Sequence, residues 1–236
     1  MRKETIDMCG RFAQPLKIEQ YVNHFQINPK DIGNLRFSYN IAPTQMVSCI
    51  ILNGHERVVK PMRWGLIPAW ANNMNVGTNY INARKETVNN KSVFKKAFYK
   101  RRCIIPATGF YEWKKSKYSN QPYFFTLSNK TPMALAGIWE TWKHKTHGII
   151  HSFAIVTTQA NPIVLPVHAR MPLIIDIEEY DLWLESSNKV ANLNFQTVPT
   201  DLLTSYPVSH YVNNIANDGP ECIQKSKDYV QKSLWE

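Results

Sequence analysis

Residues 8–12 read Met8-Cys9-Gly10-Arg11-Phe12, and Cys9 in that setting can do chemistry closed to the other cysteines of the chain. A methionine followed by a small residue is the context in which an initiator methionine is removed. With Met8 as the functional start, Cys9 becomes the mature N-terminus and carries an amine and a thiol on adjacent carbons. An α-amine has a pKa of roughly 7.7–8.0 against about 10.4 for lysine, so about a tenth of it is neutral and nucleophilic at pH 7. Such an amine condenses with an aldehyde to an imine, and the thiol then closes a five-membered thiazolidine. A cysteine inside a chain cannot do this, because its nitrogen is held in an amide. Taken alone, Cys9-Gly10-Arg11 is more often an ordinary thiol near a chain end.

Further segments carry residue types suited to chemistry. They are Tyr39-Asn40-Ile41-Ala42-Pro43, Arg63-Trp64-Gly65-Leu66-Ile67-Pro68-Ala69-Trp70, Ile81-Asn82-Ala83-Arg84-Lys85-Glu86-Thr87, Gly109-Phe110-Tyr111-Glu112-Trp113-Lys114 and His168-Ala169-Arg170-Met171-Pro172. In this order and spacing, behind the Met-Cys-Gly-Arg-Phe start, they closely resemble the SOS response-associated peptidase (SRAP) family of abasic-site processing proteins. The resemblance runs from Cys9 to about Glu221. It implies that Cys9 forms the thiazolidine with the ring-opened sugar of an abasic site in single-stranded DNA. It also carries the family's active-site asparagine, glutamate and histidine onto Asn82, Glu112 and His168. Asn82 is then a neutral amide able to donate to, and accept from, the Cys9 amine and nearby oxygens. Glu112, between Tyr111 and Trp113, is expected to have a raised pKa suited to proton shuttling. On its neighbours alone it could equally face solvent. His168 is expected to stabilise developing charge or to exchange a proton near neutral pH.

By the same resemblance Arg84 holds a phosphate beside the lesion, and Arg11 and Arg170 flank the reactive centre. Guanidinium forks suit phosphates through paired hydrogen bonds. Trp70 corresponds to an aromatic that packs on nucleic acid, where stacking contributes roughly 1–3 kcal/mol per base. Asn40 and Pro43 are expected to line the groove, and the basic run Lys95, Lys96, Lys100, Arg101 and Arg102 to extend its track or to form a solvated helix face. A weak β-elimination (lyase) activity follows from the same imine. Neither a metal nor another cofactor is expected.

The sequence departs from the family pattern at several places. Residues 1–8 precede a cysteine that normally follows the initiator directly, and they are expected to be absent from the mature protein. Translation from Met8 would remove them, as would a protease or the protein itself. Self-removal is an alternative activity, a thiol peptidase with Cys9 as nucleophile and His168 as base. A non-catalytic single-strand binder is a third reading, for which the charge alone suffices. Ala71 stands where some relatives carry a second tryptophan, and Ala169 where an acidic residue is common.

The scaffold that must position these residues is built of many short elements. The chain has 236 residues, 44% of them hydrophobic, enough for one domain expected over 9–225 with a tail at 226–236. Its 28 Lys and Arg against 18 Asp and Glu give a net charge of +10, which attracts polyanions such as nucleic acid. No run approaches the roughly 18 apolar residues of a membrane span, and residues 1–8 lack the apolar segment of a secretory signal. A monomer in the cytoplasm, nucleoid-associated in a bacterium, is expected. The cysteines form no CxxC pair, hence neither a disulfide framework nor a zinc site, and Cys49 and Cys103 read as small buried apolar residues. Strand-like runs occupy 46–52, 103–105, 123–127, 133–138, 152–157 and 173–175. Helical patterns occupy 17–25, 92–100 and 178–184, the last behind an Asp176 cap. Strands and helices do not alternate regularly, so the fold class expected is α+β, a mixed or antiparallel sheet tending to a barrel with flanking helices. Periodicity is weak from Asp218 onward, and a loose chain end is expected there.

Overall fold

A computed structural model describes residues 9–31, 35–117, 119–185, 195 and 197–226. In chain order its strands are β1 (Phe12–Ala13), β2 (Met46–Asn53), β3 (Glu56–Trp64), β4 (Asn82–Arg84), β5 (Arg102–Ala107), β6 (Gly109–Lys115), β7 (Asn120–Leu127), β8 (Met133–His144), β9 (Gly148–Gln159), β10 (Arg170–Pro172), β11 (Ile174–Ile175) and β12 (Leu203–Pro207). The helices are α1 (Ile18–Phe25), α2 (Ser92–Lys100) and α3 (Tyr180–Leu184).

β9, β3, β2, β5 and β8 pair in that order, and β8 pairs back onto β9, which closes a barrel. Every contact in the ring is antiparallel except β9 with β3, where Arg63 lies beside Ser152. Two seams of the ring are short, Ile50 opposite Ile104 and Arg63–Trp64 beside Ser152–Phe153. Alternate residues serve two cores. Cys49, Trp64, Cys103, Ile105, Leu135 and Phe153 pack in one cluster that also takes in Cys9, Phe110 and Phe125. Ile50, Ile104, Ala136 and Ile138 pack in the other, under Phe25 of α1, Phe94 and Phe98 of α2 and Trp183 of α3. Strands buried on both faces explain why these segments read as continuous apolar runs.

A second, antiparallel sheet has the order β1-β6-β7-β12. Gln14 stitches it to the barrel. Wholly buried, its Nε2 donates to the carbonyls of Ser48 (2.9 Å) and Pro106 (2.7 Å), and its Oε1 accepts from the Ser48 N–H. The architecture is the expected α+β with a barrel. α1 and α2 fall where the apolar spacing put them. The Asp176 carboxylate does cap the Glu178 N–H, but residues 177–179 form a 3₁₀ turn and α3 starts only at Tyr180. β8 and β9 run longer than expected, and β3 went unrecognised because Arg57, Lys60, Pro61 and Arg63 interrupt its apolar pattern.

The basic run divides. Lys95 and Lys96 are exposed on α2, whereas Arg101 pairs with Glu140 and the buried Arg102 donates to the carbonyls of Phe98, Trp183 and Glu185. The arginines of this run therefore serve the fold and not a polyanion track. The expected looseness after Asp218 is also not found as far as Ser226. The Asp218 carboxylate accepts from the Tyr39 N–H (2.6 Å), Cys222 is wholly buried, and the Ser226 N–H donates to the Pro207 carbonyl. Residues 1–8 and 227–236, the expected leader and nearly all of the tail, lie outside the described residues. Among the described residues no helix is long and apolar enough to cross a membrane.

After β3 the chain leaves the barrel in a loop that returns at β4, and two glycines close its neck. Gly65 has φ +113°, and a Cβ there would lie 2.8 Å from the Gly77 carbonyl oxygen. A Gly65→Ala substitution should therefore cost about 2–4 kcal/mol of unfolding free energy, measured by urea denaturation.

Candidate active site

Backbone pairing carries Cys9 and the residues after it into the cluster that packs against the barrel. β1 runs antiparallel to β6 with Phe12 opposite Phe110, and the Tyr111 N–H donates to the Arg11 carbonyl at 3.0 Å. The same run leads Gly10 and Cys9 along β6 towards Glu112. Strand alternation sets Glu112 on the face of Phe110, which packs in the cluster containing Cys9, while Tyr111 packs on the opposite side with Phe124 and Val208. Glu112 is therefore buried, at 5% exposure, and does not face solvent.

Asn82 opens β4, beside Ile155 of β9. The preceding carbonyl, of Ile81, accepts from the Trp64 indole (2.9 Å) and from the Ile155 N–H (3.0 Å), which fixes the strand. Asn82 Nδ2 donates to the Cys9 carbonyl at 2.9 Å. Its Oδ1 is buried with no hydrogen-bond partner among the described residues, and so is Glu112 Oε1. Two acceptors with unused capacity thus lie next to Cys9.

The electrostatics follow from the burial. Loss of solvent pushes the Glu112 carboxyl up to about 8, so it holds its proton at neutral pH. The Cys9 thiol is wholly buried and donates to the Arg11 carbonyl at 3.9 Å. Burial raises its pKa well above the ordinary value, and the neighbouring Glu112 adds to the effect. His168 follows a turn in which Asn161 Oδ1 accepts from the Ile163 and Val164 N–H groups, and its own N–H donates to the Val164 carbonyl. The ring places Nδ1 3.8 Å from Glu112 Oε1. Nδ1 also lies 3.1 Å from the Arg170 N–H nitrogen and 3.0 Å from the Arg170 carbonyl oxygen. Beside these groups a cavity of about 210 Å³ is lined by Gly10, Arg11, Glu112, Trp113, Lys115, Asn120 and His168.

Cys9, Asn82, Glu112 and His168, scattered over the sequence, therefore converge. The groove residues are more varied. Arg84 is exposed two residues from Asn82, and Trp70 stands 66% exposed on its loop. Ala71 turns inward, its carbonyl accepting from the Trp142 indole at 2.6 Å. Arg11 lines the cavity, but its Nη1 donates to Asn40 Oδ1 (2.6 Å) and the Val212 carbonyl (2.8 Å), and its guanidinium sits over Trp113. Asn40 is 1% exposed, and its Nδ2 donates to the carbonyls of Val212, Asn214 and Asn217. It holds Arg11 and the 212–217 loop and is not a surface of the groove, as the sequence suggested. Pro43 is half-buried. Arg170 spends its guanidinium on Glu86 and the Thr157 carbonyl. Trp113, Lys115 and Asn120 went unassigned in the sequence. Trp113 at least lay inside a recognised motif; Asn120 reaches the cavity only through β7 pairing, which no local pattern announces.

The fold and the site define a barrel protein whose N-terminal strand delivers a cysteine to a buried amide, a protonated carboxyl and a histidine. The chain belongs to the SOS response-associated peptidase family, whose description, SOS response associated peptidase (SRAP), matches residues 8–215. It is 35% identical over 224 residues to the abasic site processing protein YoqW of Bacillus subtilis, covering 92% of this chain and 99% of that one. It is 30% identical over 235 residues to the abasic site processing protein HMCES of Rattus norvegicus, covering 83% and 67%. In structure it is similar to a Bacteroides thetaiotaomicron protein solved by crystallography, with TM-score 0.80 at 24% identity, covering 92% of this chain and all of that one.

A carboxyl that keeps its proton to about pH 8 when folded, but loses it near 4.5 when unfolded, weakens the fold progressively between those values. A Glu112→Gln variant should match the parent in stability below pH 4.5 and gain on it as the pH rises to about 8. The gap should then level off at a few kcal/mol, since each tenfold difference in proton affinity between the two states is worth about 1.4 kcal/mol. Thermal melts across that pH range check this.

Proposed function

We propose that this protein processes abasic sites by capturing them covalently in single-stranded DNA, through a thiazolidine on Cys9. Its relatives named for abasic site processing span Bacillus subtilis, a Bacillus phage and vertebrates, which supports the class of substrate. The observation that carries the chemistry is the burial of the Glu112 carboxyl near the buried Cys9, a setting that raises its pKa to about 8.

In the mature protein the Cys9 amine attacks the C1′ aldehyde of the ring-opened sugar and forms a carbinolamine. Glu112 gives its proton to the carbinolamine hydroxyl, which leaves as water, and the nitrogen lone pair forms the iminium. The Cys9 sulfur then adds to the iminium carbon, and the thiol proton returns to Glu112. Aldehyde and aminothiol thus give thiazolidine and one water, with the carboxyl regenerated. Asn82 holds the Cys9 carbonyl and offers Oδ1 to the amine, and His168 exchanges protons with the sugar oxygens. A thiol enters this sequence uncharged. A peptidase needs a thiolate, and burial opposes one at Cys9. Capture would shield the lesion from strand scission and error-prone bypass, and the imine gives a route to weak lyase activity.

Protein started at Met8 should form a denaturation-resistant adduct with a glycosylase-treated, uracil-containing oligonucleotide, its mass the sum of the two less one water. Equal reaction by Cys9→Ala, read by gel and intact mass, would exclude this mechanism. Exposed Arg84 is expected to contact phosphate: Arg84→Ala should weaken single-strand binding and lower the slope of log affinity against log salt by about one. Fluorescence anisotropy over a salt series measures that slope.

A further inference from the structure

Arg170 lies two residues beyond His168, and its guanidinium is engaged by protein partners. Nη1 donates to Glu86 Oε1 at 2.7 Å, and Nη2 donates to Glu86 Oε2 at 2.9 Å and to the Thr157 carbonyl at 2.7 Å. Its side chain is only 14% exposed, whereas that of Glu86 is 44% exposed. The Arg170 hydrogen bonds hold the Glu86 carboxyl below its usual pKa, so it stays ionised at neutral pH. The backbone around Glu86 is itself fixed, since the Lys85 N–H donates to the Thr157 carbonyl and the Val88 N–H to the Arg84 carbonyl. Arg170 in turn sits on β10, opposite Gln159 of β9. The two-point ion pair therefore ties the end of β4, which carries Asn82, to the strand that follows His168.

An ion pair with one exposed partner adds little to stability, but a bidentate fork fixes orientation. What it orients here is the Arg170 backbone, whose N–H and carbonyl both lie within hydrogen-bond distance of His168 Nδ1. A neutral ring accepts from that N–H, and a protonated ring donates to that carbonyl. The same cradle thus serves both charge states without turning the ring. We propose that Glu86 is a positioning residue, acting through Arg170 to hold the His168 ring in register with Glu112. The inference rests on the thiazolidine reading above for its catalytic consequence, though not for its geometry.

The test uses Glu86→Gln, which keeps the size of the side chain but loses its charge, and Glu86→Asp, which keeps the charge. Side-chain ¹⁵N spectra of the protein without DNA should show the His168 ring signals moved in Glu86→Gln and largely restored in Glu86→Asp. At saturating abasic oligonucleotide, the single-turnover rate of adduct formation should fall about tenfold in Glu86→Gln, within the range of a misplaced acid–base group. In a His168→Ala background the same substitution should have no further effect. Unmoved His168 signals, or rate losses that multiply in the double variant, would overturn the proposal. If the parent protein forms no adduct, the thiazolidine reading falls, and the ¹⁵N comparison alone decides the positioning role.

Discussion

The pairing of residues 11–13 against β6 is the constraint from which the rest of the site follows. These residues form a buried edge strand, fixed by Phe12 opposite Phe110, by the Phe12–Ile41 bridge and by the wholly buried Gln14 that follows it. Cys9 is carried by that strand into the barrel-side core. Without the pairing Cys9 and the polar residues of the site would have no common location.

Burial then does the electrical work. The barrel-side cluster that encloses Cys9 also strips water from Glu112, so the carboxyl stays neutral where an exposed glutamate would be charged. A protonated carboxyl beside an uncharged thiol avoids placing an isolated charge in an apolar surround, which is the costly alternative. Asn82, a neutral amide, serves the same environment without adding charge. Arg84, Lys95 and Lys96 carry their charge on exposed side chains, while Arg11 and Lys115 line the cavity with Glu112.

Several residues of the recurring motifs hold the loops around the site. Gly65 and Gly77 let two backbones approach closely at the neck of the loop that presents Trp70, and the Trp142 indole secures that loop at Ala71. The Asn40 amide gathers three carbonyls of the 212–217 loop while accepting from Arg11. One buried amide therefore sets both the arginine at the cavity and the segment behind it, and an apolar replacement would take its donor from the Asn214 carbonyl and leave Arg11 Nη1 with the Val212 carbonyl alone.

The family, the strongly apolar strands and the helices at α1 and α2 were legible in the residues alone. These signals are local: motif identity, and hydrophobic spacing over ten residues or fewer. The sequence also named Asn82, Glu112 and His168 as partners, through motif resemblance and not through any pattern of their own. The burial of Glu112 was set by tertiary packing, because the side it faces depends on which face of β6 packs on the barrel. That packing alone turned Asn40 and Arg170 inward to protein partners and brought Glu86 into contact with Arg170. Those outcomes depend on pairings between segments far apart in the chain, β1 with β6 and β4 and β10 with β9, and no local pattern encodes which distant strand a segment will meet.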